Sequence, residues 1–173
     1  MRNNFSHLIS WGCIAIILLQ VVILLSFLIN IDWLMNIAKT NLRLPIHWST
    51  VQLWQWYTLW GLTVAFMSIG SFALYFLHLA FKKISTGELF NLTNSLNLRM
   101  FAILLFAQTV AKPIYFGLVS VFLSLNHPKG EKILSISFGS QEIIMLGSAM
   151  IFWVVSDVLV TGSKLQAENQ QFI

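Results

Sequence analysis

Five polar or charged side chains lie inside long apolar stretches of the sequence, where such groups are costly and are often functional. They are Asp157, His78, Gln108, Lys112 and Gln20. A charge at the centre of a membrane helix costs roughly 2.5 to 3.5 kcal/mol, so we expect these groups to face other helices and find partners. A carboxylate beside a histidine can relay protons, because imidazole titrates near neutral pH. The five residues are therefore candidates for a polar pathway or a ligand site between helices.

Helical rise places the first group of these side chains near the end of the helices that we assign to the cytoplasm. At 1.5 Å per residue, His78 lies about 5 Å from that end, Asp157 about 8 Å and Gln108 about 14 Å. Arg99 begins the third apolar stretch and can reach down to the same level. We therefore expect Asp157 to contact His78, Gln108 or Arg99.

Lys112 and Gln20 form a second, deeper group, at about 20 and 18 Å by the same rise. About 12 Å of depth separates Lys112 from Asp157, so we do not expect a direct ion pair between them. A structural role is the simpler interpretation of both groups, because interhelical polar contacts of roughly 0.6–2 kcal/mol each can fix a bundle's register. Transport, the alternative, usually needs more intramembrane polar groups and often internal repeats.

No other pattern in the sequence points to catalysis, a metal or a cofactor. The four histidines are far apart and Cys13 is the single cysteine, so zinc-ligand spacing is absent. There is no glycine-rich phosphate loop and no nucleophile elbow. The basic residues are scattered, with no run longer than Lys82-Lys83, which argues against direct nucleic-acid binding. We therefore expect neither an enzyme nor a bound cofactor.

The composition indicates that lipid surrounds most of this chain. Hydrophobic residues make up 57% of the 173 residues and charged residues 9%, whereas a soluble domain carries about 25% charged residues. The mean hydropathy is +0.78. A soluble fold of this size cannot hide so much apolar surface, because a small body has too much exterior for its interior. We predict one transmembrane domain over residues 1–173.

Four apolar stretches predict an all-α, integral membrane four-helix bundle. They cover residues 8–29, 56–81, 98–125 and 143–162, and a polar tail follows at 163–173. Each is near the roughly 20 residues needed to cross about 30 Å of hydrocarbon. Helices are required because lipid cannot hydrogen-bond an open backbone. The first stretch is longer than the apolar core of a signal peptide and lacks a small-residue cleavage site, so we interpret it as a retained helix.

The basic residues favour an orientation with both termini in the cytoplasm. Four spans place both termini on one side. Five basic residues then lie inside against four outside. The inner set is Arg2, Lys82, Lys83, Arg99 and Lys164, and the outer set is Lys39, Arg43, Lys129 and Lys132.

The two outer loops predict different local structures. The first mixes apolar and basic residues before Pro45, which favours a short amphipathic helix in the membrane interface. The second opens with the turn-rich run Asn-His-Pro-Lys-Gly. Its residues 132–138 then alternate weakly between polar and apolar side chains, which favours a short extended strand.

Two segments resemble a known family of bacterial four-helix membrane proteins, catalogued as domain-of-unknown-function family twenty-nine seventy-five. The inner loop carries Gly87-Glu88-Leu89-Phe90, then Asn94, Leu98 and Arg99; the end carries Asp157, Gly162, Leu165, Glu168-Asn169 and Phe172-Ile173. The family has a Gly-Glu/Lys-x-Phe loop and usually a glutamate at the position of Asp157. The resemblance implies a four-helix bundle in the bacterial cytoplasmic (inner) membrane, with no established reaction.

The resemblance also implies a partner, because family members often occur beside small helix-turn-helix regulators. We therefore expect a regulatory or binding protein that presents a cytoplasmic face to a soluble partner, with a small transporter or transporter subunit as the alternative. Besides the lipid bilayer, association with further copies of the chain stays open. The candidate cytoplasmic face comprises Glu88, Phe90, Asn94, Arg99, Glu168 and Asn169.

Overall fold

The computed structural model describes the backbone of residues 2–42, 44–86 and 91–170, and the side chains of 5–42, 44–86 and 91–165. The described residues contain five α-helices and one 3₁₀ turn, and no strand. The helices are α1 (Arg2–Ile29), α2 (Ile31–Asn41), α3 (Leu53–Ser85), α4 (Leu92–Leu123) and α5 (Ser140–Gln170), and the 3₁₀ turn is Trp48–Thr50. The all-α prediction is confirmed over these residues.

Four of the helices are long and apolar enough to cross a membrane, as predicted. The membrane-capable stretches are Phe5–Ile29, Leu53–Ser85, Leu92–Leu123 and Ser140–Leu165. Large apolar side chains are exposed along all four, among them Leu18, Phe72, Ile114 and Ile144. Water would penalise such surfaces, whereas lipid tails are as apolar as the side chains themselves. The exposed faces are therefore those of a multi-pass membrane protein.

The long helices pack in chain order. The main interfaces join α1 to α3, α3 to α4, and α4 to α5. Small buried residues line them, including Gly70, Ala73 and Ala80 on α3 and Ala102 on α4, and small residues let helix backbones approach closely in lipid. Among the described residues, α5 and α1 share no comparable packing. Closure of the four helices into the predicted bundle therefore stays a prediction.

Contacts between neighbouring helices place both ends of the described chain at one end of the array. Near one end, Ser10 of α1 contacts His78 of α3, and Arg99 of α4 contacts Asp157 of α5. Near the other, Gln55 at the start of α3 bonds the carbonyl of Phe122 at the end of α4. We call these the inner and outer ends, following the predicted orientation.

The amphipathic helix predicted in the first outer loop is α2. Asn30 caps it by accepting a hydrogen bond from the backbone N–H of Trp33 at 3.3 Å, and it ends at Asn41, shortly before Pro45. Its apolar face buries Leu34 and Ala38 in a cluster that includes Leu59 and Val119. The helix thereby covers the outer ends of α3 and α4.

The short strand predicted at residues 132–138 is wrong. Two serines of α4's last turns bind this segment instead: Ser124 Oγ accepts from the N–H of Ile133 at 2.9 Å, and Ser120 Oγ accepts from the N–H of Ser135 at 2.8 Å. The side chains of residues 132–138 do alternate weakly between polar and apolar, but the backbone N–H groups of this segment bond the serines of a helix rather than a second strand. The segment therefore lies against α4 and returns the chain toward the start of α5.

Candidate functional site

His78 lies at the interface of α1 and α3, close to the inner end. Its Nδ1 atom is 2.9 Å from both the hydroxyl and the carbonyl oxygen of Ser10. Ser10 is buried, and His78 is partly buried. The imidazole therefore ties two helices together through a serine, and the contact with Asp157 that the sequence allowed does not form.

Gln20 joins the same two helices nearer the outer end. Its Oε1 atom accepts a hydrogen bond from the hydroxyl of Ser71 at 2.9 Å. One turn further along α1, the carbonyl of Leu24 accepts a hydrogen bond from the indole of Trp60 on α3 at 2.9 Å. Gln20 thus finds its partner on α3, while Lys112 lies on α4 and turns to α5.

Gln108 lies on the interface of α3 and α4, against a glycine. A Cβ atom added at Gly70 would come within 2.7 Å of Gln108 Nε2 and 2.9 Å of its Oε1. The glycine therefore provides the space that the amide occupies. Two turns further out, the hydroxyls of Thr63 and Tyr115 are 2.9 Å apart and join the same helices.

Asp157 and Arg99 meet between α4 and α5 at the inner end, which is one of the contacts predicted from depth. The Nη1 and Oδ1 atoms are 3.9 Å apart, and the side chains are 42% and 53% exposed. The Arg99 guanidinium also lies 5.2 Å from the centroid of the Trp153 ring, within the range of a cation–π contact. Solvent screening makes so open an ion pair a weak stabiliser.

Lys112 has a partner that the sequence did not suggest, Glu142 at the start of α5. Their Nζ and Oε1 atoms are 2.5 Å apart, and the side chains are only 28% and 8% exposed. Lys112 also donates to Gln141 Oε1 at 3.3 Å. The other Glu142 oxygen accepts from the N–H of Gly139 at 2.7 Å, which is how a third-position glutamate caps a helix start. One carboxylate therefore caps α5 and binds it to α4.

A group of histidines at the outer end was also missed from the sequence. His127 is buried; its Nε2 accepts from the backbone N–H of His47 at 3.0 Å, and its Nδ1 is 3.1 Å from the carbonyl oxygen of Glu131. This arrangement suits the neutral imidazole with its proton on Nδ1. His47 Nε2 lies 3.2 Å from the Glu131 carboxylate. The group joins the two outer loops, and no metal-binding set of three or more His, Cys, Asp or Glu occurs in the described residues.

The candidate cytoplasmic face is described only in part. Asn94, in the first turn of α4, is almost fully buried. Its side chain is therefore not accessible to a soluble partner. Arg99 is half-exposed, as described above. Glu88 and Phe90 lie outside the described residues, as do the side chains of Glu168 and Asn169.

An open groove follows α5 beyond the Arg99–Asp157 pair. It is a shallow depression of about 490 Å³ on one face of α5. We call it the inner groove; its lining residues are Val154, Asp157, Val158, Thr161, Gly162 and Leu165. The groove thus combines a carboxylate and a hydroxyl with apolar side chains, on a part of the helix that is exposed.

Comparison with known proteins finds no matching protein family, no matching curated protein and no matching solved structure. The resemblance described from the inner loop and the C-terminal segment therefore stays a prediction.

Proposed function

We propose that this chain is a regulatory membrane protein that holds a soluble cytoplasmic partner at the inner end of α5. One observation carries the proposal: α5 continues as a helix to Gln170. From Asp157 to Gln170 the helix advances about 20 Å at 1.5 Å per residue. The membrane-capable part of α5 ends at Leu165, so its last turn extends past that part.

The inner groove has the composition of a peptide-binding surface. Leu165 and Val158 are exposed and supply apolar contact area, while Asp157 and Thr161 supply polar groups on the same side of the helix. The groove runs to Leu165, where the membrane-capable stretch ends, so a soluble partner would bind at that end. An amphipathic helix of the partner can bury its apolar stripe there. A partner that supplied a basic residue would also find the half-exposed carboxylate of Asp157.

The contacts of the intramembrane polar groups favour this proposal over transport. His78 and Gln20 bond serines across α1 and α3, Gln108 packs between α3 and α4, and Lys112 pairs with Glu142 between α4 and α5. These groups are therefore divided among three helix pairs. A transport pathway calls for polar groups that converge on one site.

The side of the membrane and the identity of the partner belong to the same proposal. The positive-inside rule supports a cytoplasmic position for both termini. The family resemblance supports a helix-turn-helix regulator as the partner, which the membrane protein would keep away from its DNA. Binding of this kind needs no catalytic group and no cofactor.

Co-purification in detergent tests the proposal. The intact chain is compared with a chain truncated after Gly162 and with Leu165→Glu, which places a charge in the inner groove. Leu53→Glu is the matched control, because Leu53 is similarly exposed at the outer end, where α3 begins. We expect about tenfold less partner with the truncation and with Leu165→Glu, the size of effect typical of a central interface residue.

The control variant should recover as much of the partner as the intact chain does. Mass spectrometry then identifies the protein that depends on the groove. If all four chains recover the same proteins in equal amounts, α5 does not form the docking surface and the proposal fails.

A further inference from the structure

Residues 133–139, which we call the α4-bound segment, follow the outer part of α4 from the level of Ser124, past Gly117, to the start of α5. The two serines that bind it, Ser120 and Ser124, are four residues apart, or about 6 Å along a helix. The two N–H groups that they accept from belong to Ile133 and Ser135, and two extended residues span about 6.6 Å. The match of these lengths requires a nearly straight backbone between the two anchors.

A straight backbone gives this segment two different edges. Successive N–H groups of an extended chain point to opposite sides. Those of Ile133 and Ser135 face α4, so an extended course continued to Phe138 turns those of Leu134, Ile136 and Phe138 away. In the part of the chain that the structure describes, which includes all of this segment, no hydrogen bond reaches the three outward N–H groups. The outer edge is thus a row of unpaired backbone groups, as on an edge strand, although no second strand of the described residues pairs with it.

The same three residues also present apolar side chains to the surroundings. Leu134 and Ile136 are each 67% exposed and Phe138 is 55% exposed. Leu134 and Ile136 lie across Gly117 of α4, near the outer end of a membrane-capable helix. An exposed apolar strand edge is a template for pairing with another chain, and the need is stronger where lipid replaces water, because lipid cannot satisfy backbone groups.

We propose that this edge joins two copies of the chain, with residues 134–138 of each running antiparallel about a two-fold axis at Ile136. In this register Leu134 faces Phe138 of the other copy, and Ile136 faces itself. All three outward residues then fall in hydrogen-bonded pairs. The segment is therefore complementary to itself, which is the requirement of a two-fold interface and the reason for choosing a second copy over another protein.

The charges next to the edge are compatible with this pairing. The register places Lys132 opposite Ser140 of the other copy, so the lysines do not face each other. The interface lies at the outer end, away from the inner groove, and it stands independently of the proposed partner.

Disulfide cross-linking in membranes tests the register, starting from Cys13→Ser to remove the single native cysteine. Facing residues of a hydrogen-bonded antiparallel pair have Cα atoms about 5.5 Å apart, within the roughly 4.4–6.8 Å that a disulfide spans. Ile136→Cys should therefore form a covalent dimer on mild oxidation. Leu134→Cys and Phe138→Cys should each form no covalent dimer alone, because their equivalent positions are about 13 Å apart, and should cross-link when the two variants are co-expressed.

Ile151→Cys is the control for random collision, because Ile151 is as exposed on α5 as these residues are. The proposal is overturned if Ile136→Cys gives no covalent dimer, or if all the variants cross-link to the same extent.

A second experiment measures the mass of the protein by light scattering in nanodiscs. Ile136→Pro removes an outward N–H and should convert a dimer to a monomer, whereas Ser137→Pro leaves the outward groups and should not; a dimer that survives Ile136→Pro contradicts the pairing.

Discussion

Gln55 provides the sharpest test of how the outer end is held together. Its side chain is fully buried at the start of α3. The amide donates to the carbonyl of Phe122 on α4, while its oxygen accepts from the N–H of Gln52 at 2.7 Å and from Asn126 Nδ2 at 2.9 Å. One side chain therefore connects α3, α4 and the second outer loop. Gln55→Met keeps the length of the side chain and removes all three hydrogen bonds.

The expected loss follows from those bonds. Each contributes about 1 kcal/mol net, so the variant should lose about 3 kcal/mol. In a chain of this length 1 kcal/mol shifts the melting temperature by roughly 2–4 °C, which gives a decrease of about 6–12 °C. Melting in detergent, followed by near-UV circular dichroism of the tryptophans, measures it directly.

The control is Asn36→Leu on α2, which removes an exposed side chain that makes no hydrogen bond within the described residues. Surface changes of this kind usually alter stability by less than about 0.5 kcal/mol, so this variant should melt within about 2 °C of the wild type. The reasoning is refuted if Gln55→Met also melts within that range, or if both substitutions lower the melting temperature equally.

Three further predictions concern the helix interfaces. Lys112→Met should lower the melting temperature more than Lys112→Met combined with Glu142→Gln, because the single change leaves a carboxylate without its cation, whereas glutamine is neutral and can keep the cap on α5; the reverse order in a melting experiment contradicts the pairing. Asp157→Leu should melt within a few degrees of the wild type, because an ion pair this exposed contributes less than about 1 kcal/mol, and a large loss of folded protein would show a tighter contact. Gly70→Val should destabilise the α3–α4 interface by displacing the Gln108 amide, and Gln108→Ala should restore part of the loss; no restoration would place the clash elsewhere.

Hydrophobic length and the interfacial pattern predicted the helices well. The four predicted apolar stretches correspond to four membrane-capable helices. A helix that crosses lipid needs a run of about 20 apolar residues, and such a run can be recognised in a single sequence. The mixed apolar and basic run before Pro45 gave α2. These features depend on local residues alone.

Polar pairing was harder to predict, because it depends on the point where each helix begins. We placed the start of the last span at Ile143, so Glu142 fell in a loop and Lys112 was left without a charged partner. The helix begins at Ser140, since Glu142 caps it through the N–H of Gly139. An acidic residue three positions after a glycine, just before an apolar run, was the available signal.

The outer histidines could not be paired from the sequence at all. His47 and His127 are 80 residues apart, and neither has a neighbour with ligand or capping spacing. Their rings meet because α2 and the second outer loop both fold over the ends of α3 and α4. Depth counting placed Arg99 beside Asp157 correctly, but it could not choose among the three partners at that level, since rotation about a helix axis is not encoded in depth.

Cysteine labelling in intact cells tests most directly that the chain crosses the membrane four times with both ends inside. On a Cys13→Ser background, single cysteines replace Lys39 and Lys129 at the outer end and Lys82 and Lys164 at the inner end. The account predicts that a membrane-impermeant maleimide labels the outer pair in intact spheroplasts and reaches the inner pair only after permeabilisation. Labelling of one inner and one outer position from the same side, or a chain that stays dispersed in water without detergent, would contradict it.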